Sequence, residues 1–190
     1  ISAPHGSLVV DIGGGTTDMA ILSLSGISIS ASIKTAGNVF DDAVIKYVRR
    51  KYNLIIGSRM AEEAKIAIGC VYPRRELLTH RVKGRNAMTG LPQFADITSD
   101  EMLEAMIEPA MLIVRSLQDI LERTPPELVG DVYEDGGVLT GGSAQIFGFP
   151  QLLSRKAKLP VRLAEAPADC VALGAGKAIR YIDDMDKKEY

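Results

Sequence analysis

Eight consecutive residues, Asp11-Ile12-Gly13-Gly14-Gly15-Thr16-Thr17-Asp18, concentrate what an anion site needs. Glycines let the backbone come within hydrogen-bonding distance of a ligand, and successive N–H groups form a concavity for phosphate oxygens. Flanking hydroxyls and carboxylates can bind further oxygens or the water shell of a magnesium ion. The bland alternative is a glycine-rich turn. A turn needs glycine but not two carboxylates and two hydroxyls crowded round it, so phosphate binding is the stronger reading.

Two familiar phosphate motifs fail on spacing. A dinucleotide fingerprint needs a glycine where Asp18 stands and a helix after it, whereas Met19 to Leu24 reads as a strand. Gly176-Lys177 is followed by Ala178 instead of Ser or Thr, which excludes a Walker loop; Gly174 and Gly176 read as close-packing sites in a helix. A second glycine cluster, Gly141-Gly142-Ser143, follows the apolar run Gly137 to Thr140. Glu62 and Lys65 share a helix face at i, i+3, where the ordinary alternative is a solvated salt bridge. His5 and His80 lack companions for catalysis, and Met102, Met106 and Met111 read as core packing.

The elements that position these residues are legible in the periodicity. Leu8 to Ile12, Met19 to Leu24 and the alternating Ile27, Ile29, Ala31, Ile33 predict three strands in an antiparallel meander. A helix follows Asn38, with Val39, Phe40, Ala43, Val44, Tyr47 and Val48 on one face and Arg49 to Lys51 at its C-terminal end. A second helix runs from about Ser58 to Ile68, and Glu76 to Ile97 predicts two or three short strands. Thr98 and Glu101 form a capping box for a long helix reaching Arg123, which Pro109 should kink. A short helix to about Glu134, a strand at Gly137 to Thr140, a helix at Phe149 to Lys156, a strand at Val161 to Leu163 and a helix at Ala168 to Tyr181 complete an α/β domain. The tail from Asp183 should fray.

A chain of 190 residues with 46% hydrophobic content buries a proper core. The net charge of -2 and interspersed signs offer no stripe for nucleic acid. Cys70 and Cys170 are far apart without metal-ligand companions, which predicts reduced core thiols in a cytosol. No apolar run approaches the roughly 20 residues of a membrane span. The chain begins at Ile1 and enters a strand pattern within a few residues, so a segment of a longer protein is expected.

The series Leu8 to Asp18, Phe40-Asp-Asp-Ala-Val to Arg50, Ala61-Glu-Glu-Ala-Lys65, Val82-Lys-Gly-Arg-Asn86, Thr89-Gly-Leu-Pro92, Thr124-Pro-Pro-Glu-Leu128, Val138-Leu-Thr-Gly-Gly142 and Cys170-Val-Ala-Leu-Gly174 resembles the MreB-type bacterial actin homologues over nearly the whole chain. Single motifs also occur in FtsA and DnaK-type chaperones; the combination is similar to MreB-type proteins.

That resemblance implies an actin-like (ribonuclease H-like) ATPase fold, specifically its C-terminal half. Residues 1–57 and 98–190 would form the core subdomain and 58–97 a smaller inserted α+β subdomain. It implies ATP and Mg2+ as cofactors. Asp11 would hold a magnesium-bound water, Gly13, Gly14 and Gly15 the β- and γ-phosphates, and Thr16, with Thr17, the attacking water; Asp18 would join them. Glu62 and Lys65 would meet adenine and ribose, and Gly141, Gly142 and Ser143 the adenosine. The resemblance places a first phosphate loop and a water-activating glutamate upstream of Ile1, so the segment alone should hydrolyse ATP poorly.

Two departures stand out. Asp18 replaces an expected glutamate, and Ser143-Ala-Gln-Ile146 replaces a Gly-Ala-Leu-Leu type segment, which should tighten the adenosine pocket. The implied role is a cytoplasmic, filament-forming cytoskeletal protein that maintains rod shape. Its expected partners are copies of itself, a RodZ-type membrane adaptor and the cell-wall elongation machinery. Neither nucleic acid nor direct membrane contact is expected from this half. The rival readings are a nucleotide-free actin-fold scaffold and half of a DnaK-type chaperone ATPase, which Asp18 favours.

Overall fold

The computed structural model describes residues 6–23 and 26–186. His5 and the tail beyond residue 186 lie outside them. The meander forms as the alternation predicts: β1 (Ser7–Ile12), β2 (Thr17–Ser23) and β3 (Gly26–Ile33) pair antiparallel in sequence order. On β1 and β2, Leu8, Val10, Ile12, Met19 and Ile21 are at most 1% exposed, so one face of the sheet is core. The residues between them, Asp11 and Asp18 included, take the other face because successive side chains alternate.

Helix α1 (Gly37–Tyr52) buries Phe40, Val44, Tyr47 and Val48, and ends at Asn53 in the left-handed region. Two residues, Leu54–Ile55, then form β4, too short to leave a periodicity in the sequence. Helix α2 (Ser58–Ile68) leads to the hairpin β5 (Thr79–Asn86) and β6 (Pro92–Thr98), which with β4 makes a separate three-stranded sheet in the order β4-β5-β6. The Thr98–Glu101 capping box is present, and α3 (Ser99–Arg123) runs through Pro109 as one helix. The continuity of that helix shows the helical run that the apolar stripe predicts, carried past the proline.

After α4 (Pro126–Asp135) the chain returns to the first sheet. Strand β7 (Gly137–Thr140) pairs parallel with β1, and β8 (Val161–Leu163) parallel with β7, giving the order β3-β2-β1-β7-β8. Helix α5 (Phe149–Ala157) lies between them in sequence and packs Phe149 edge-to-face on Phe40, with centroids 5.8 Å apart. Helix α6 (Cys170–Asp186) extends past the residue where fraying was expected. Val171, Leu173 and Ile179 on it are 57–65% exposed. Cys70 is a core thiol as expected, whereas Cys170 is only half-buried, because α6 lies outside the core.

Candidate functional site

Parallel β1 and β7 end side by side, with Asp11 in register with Thr140 on one flank and with Asp18 of antiparallel β2 on the other. The two glycine clusters leave from these strand ends. This is where open α/β sheets bind ligands, because the loops there diverge and leave a crevice. The Thr140 hydroxyl lies 3.4 Å from Asp11 Oδ1 and 3.2 Å from the Pro167 carbonyl. Burial raises the Asp11 pKa above the ordinary aspartate range; the Thr140 hydroxyl works against the rise and the Asp18 charge adds to it. Burial and a like charge both disfavour ionised Asp11, so a cation here would relieve a cost the fold already carries.

The first loop is anchored by its carbonyls. Gly13 N–H donates to Thr16 O at 3.0 Å, closing the turn. Gly37 N–H donates to Gly13 O at 3.0 Å and Asn38 N–H to Gly14 O at 2.8 Å. Ala36 at the start of α1 provides no side-chain cap, so the loop carbonyls satisfy the helix's first donors in its place. A trans peptide sets C=O and the following N–H in opposite directions, so this anchoring turns the N–H groups of Gly14 and Gly15 away from α1. None of the three loop glycines has positive φ. A β-carbon at Gly15 would meet nothing within 4 Å, and one at Gly14 only Asn38 Oδ1 at 3.8 Å. The protein's own packing therefore does not require glycine at 14 and 15.

Gly141 is the opposite case. Its φ of 91° and the Asp11 Oδ1 only 2.6 Å from where a β-carbon would stand make glycine obligatory. Gly142 and Ser143 continue into a single 3-10 turn, Gly142–Gln145.

A cavity of about 690 Å3 runs from Gly14, Gly37 and Asn38 past Gly142 and Ser143 to Glu62, Lys65 and Ile66. Arg74 and Phe147 close its far end, the guanidinium stacked 4.0 Å from the ring centroid and donating to Gly69 O. The fold thus brings Gly14 of the first loop, Gly142 and Ser143 of the second and the α2 pair to one cleft, while Asp11, Gly13, Gly15, Thr16, Asp18 and Gly141 do not line it.

Thr17 and Lys65 behave differently from the reading of the sequence, while Thr16 does not. Thr17 is fully buried and donates its hydroxyl to Thr35 O at 2.7 Å, because strand alternation turns it inward; it faces no ligand. Thr16 is exposed and donates to Asp18 Oδ2 at 2.9 Å. Lys65 does not pair with Glu62. It is 8% exposed, lies 2.8 Å from Asp41 Oδ1 and donates to Gly37 O at 3.2 Å, so α1 holds its ammonium. Asp41 and Thr140 were legible only as members of motifs and Asn38 only as a helix start; their roles, like that of Gly37, depend on contacts between distant segments.

The family model for MreB/Mbl protein matches residues 1–187. The chain belongs to the MreB/Mbl family. Among MreB/Mbl relatives, it is 45% identical over 188 residues to the cell shape-determining protein Mbl of Bacillus cereus, covering 99% of this chain and 56% of that one. It is 46% identical to the cell shape-determining protein MreB of Escherichia coli over 183 residues, 96% of this chain and 53% of that one. The chain spans a little over half the length of these MreB/Mbl relatives. The matches establish membership and that length, not the C-terminal position expected from the resemblance.

Among solved structures it superposes on MreB 5 of Spiroplasma citri bound to AMPPNP with a TM-score of 0.94 and 36% identity, over 98% of this chain and 56% of that one. The ADP-bound form of the same MreB gives 0.93 and 38%, over 97% and 56%. The MamK double helical filament gives 0.70 at 24% identity over 85% and 50%, which shows the shared actin-like α/β fold alone. The MreB/Mbl chain is thus an actin-like α/β protein of a cell shape-determining family.

Proposed function

We propose that this chain forms one wall of the ATP-binding cleft of a filament-forming cell-shape protein. The observation that carries the reading is the pair Gly14 and Gly15, glycines that neither backbone conformation nor packing demands, beside a carboxylate whose ionisation the fold disfavours. The nucleotide-bound MreB 5 structures support it.

In this reading the N–H groups of Gly14 and Gly15 receive phosphate oxygens, and Gly13 shapes the turn that presents them. Glu62, Gly142 and Ser143 line the adenosine end. Among the described residues no group of three or more His, Cys, Asp or Glu side chains is placed to hold a metal ion. Asp11 and Asp18, in register at the strand ends, would meet the water shell of an Mg2+ ion carried by the nucleotide's phosphates. Bound there, it supplies charge neutralisation for phosphoryl transfer. The exposed Thr16 hydroxyl, oriented by Asp18, is the group of this chain best placed to orient water. Hydrolysis by the parent protein would draw on further groups.

We also read residues 58–97 as a smaller unit set into a core made by 1–57 and 98–190, since β5 and β6 belong to a sheet separate from the five-stranded one; β4 (Leu54–Ile55) joins that separate sheet, which moves the start of the unit back to β4. The partners in this reading are copies of the protein along a protofilament, a RodZ-type membrane adaptor and the wall-elongation machinery, acting from the cytoplasm.

Calorimetric titration of the chain with Mg-ATP, beside Asp11→Ala, tests the reading. Binding that weakens in the variant supports it. No binding by the wild-type chain, or tight binding indifferent to Asp11, overturns the site assigned here.

A further inference from the structure

Gly13 O is the most heavily used atom of the first glycine loop. It accepts from Gly37 N–H at 3.0 Å and also from the Ser143 hydroxyl at 2.7 Å, across 130 positions of sequence. Ser143 is 9% exposed and sits in the 3-10 turn of the second glycine loop. Its oxygen occupies space that only a glycine at 37 leaves open, for a β-carbon there would lie 2.6 Å from Ser143 Oγ. Gly37 is therefore a junction. Its N–H reaches the first loop, its carbonyl accepts from Lys65 on α2, and its bare α-carbon admits Ser143.

We propose that Ser143 is a positioning residue: its hydroxyl ties the two glycine loops together and fixes the Gly13–Gly14 peptide so that Gly14 N–H faces the cleft. The reasoning is geometric. A carbonyl held by two donors from different segments cannot rotate without breaking both, and the planar peptide carries the N–H on its opposite side with it. A loop with glycine on both sides of that peptide has little intrinsic stiffness, since glycine populates more of φ/ψ space than any other residue. The backbone bonds from Gly37 and Asn38 hold the loop against α1; the bond from Ser143, arriving from a different segment, gives the Gly13 carbonyl a second restraint and ties it to the second glycine loop. The hydroxyl has no capacity left to donate to a ligand, because its single proton is spent on Gly13 O. Ser143 thus acts on the phosphate end of the cleft from the opposite loop, without needing to touch phosphate.

The proposal rests on the nucleotide reading for its ligand, but the tie itself exists without ligand and is tested separately. Ser143→Ala keeps the β-carbon and removes only the hydroxyl; Ser143→Gly removes both. Amide exchange by NMR on the free chain reads the Gly37 N–H, and titration with ATP and with adenosine reads the two ends of the cleft. The expected result is faster Gly37 exchange in both variants, with ATP affinity lowered about tenfold, the loss of one hydrogen bond's net worth, and adenosine affinity lowered clearly less than that of ATP.

Equal losses for ATP and adenosine, or a loss in the glycine variant alone, would assign Ser143 to packing and overturn the proposal. Unchanged Gly37 exchange in both variants would overturn it as well. If the wild-type chain binds neither ligand, the nucleotide reading fails while the exchange data still decide the tie.

Discussion

Asp11 and Asp18 stand directly opposite each other in the β1–β2 register, at the strand ends where the Gly13 loop begins and returns. Like charges in that relation repel, and Asp11 is additionally taken partly out of water. A strand pair selected only for stability would carry a neutral residue at one of the two positions. The arrangement lowers the stability of the chain wherever both carboxylates are ionised.

Asp11→Asn is therefore expected to stabilise the free chain at neutral pH by about 0.5–1 kcal/mol, the scale of a cross-strand pair, while weakening Mg-ATP binding. The pH dependence has a definite sign. The folded pKa of Asp11 lies above its ordinary value of 3.8, so its stabilising contribution is complete below 3.8 and is lost as pH rises through the folded value. The advantage of the asparagine variant should appear above that range and vanish below it, as urea unfolding at several pH values will read.

The glycines should separate cleanly. Gly141→Ala places a β-carbon on the Ile12 carbonyl and 2.6 Å from Asp11 Oδ1, at a φ of 91°, and should cost about 3 kcal/mol or more. Gly15→Ala meets nothing within 4 Å and should leave unfolding within about 0.5 kcal/mol of wild type while lowering ATP affinity. Thermal unfolding and calorimetry on both variants check the contrast; equal destabilisation would remove the argument from unneeded glycines.

Lys65 and Asp41 form a nearly buried pair between α2 and α1, with side chains 9% and 13% exposed. Asp41→Ala strands the ammonium with the Gly37 carbonyl and should destabilise by about 3 kcal/mol, whereas Asp41→Leu with Lys65→Met should cost less, since both charges leave together. Urea midpoints of the single and double variants decide it. Asp41 also has a raised pKa, because burial outweighs the stabilisation its carboxylate receives from Lys65.

Acid sensitivity should centre on Glu101. Burial opposes its ionisation, but Lys51 at 2.6 Å, the Tyr52 hydroxyl and the Thr98 N–H outweigh burial and hold its pKa below the ordinary glutamate value of 4.5. A depressed carboxylate contributes stability above its unfolded pKa and loses it as pH falls through the folded one. Glu101→Gln should flatten the stability profile below about pH 4.5 while retaining the capping geometry, as denaturant unfolding from about pH 6 to 3 will show.

Much was determined by the sequence alone, because local physics writes itself in short range. Strand alternation in Ile27 to Ile33, the stripe of α1 and the Thr98–Glu101 box each depend on neighbours a few positions away, and each formed as read. The two-residue β4 is too short to carry a period, and its existence depends on pairing with β5. Side-chain partners between distant segments were decided only by the tertiary structure. Lys65 stands at the right spacing for Glu62, yet burial against α1 gives it Asp41, since a nearly dry ammonium needs a close carboxylate more than a solvated one. Thr16 and Thr17 look equivalent in sequence, but strand pairing sends one outward and the other into the core. Ser143 meets Gly13 only because β1 and β7 lie parallel and adjacent, an arrangement set by long-range strand order, which no local pattern encodes.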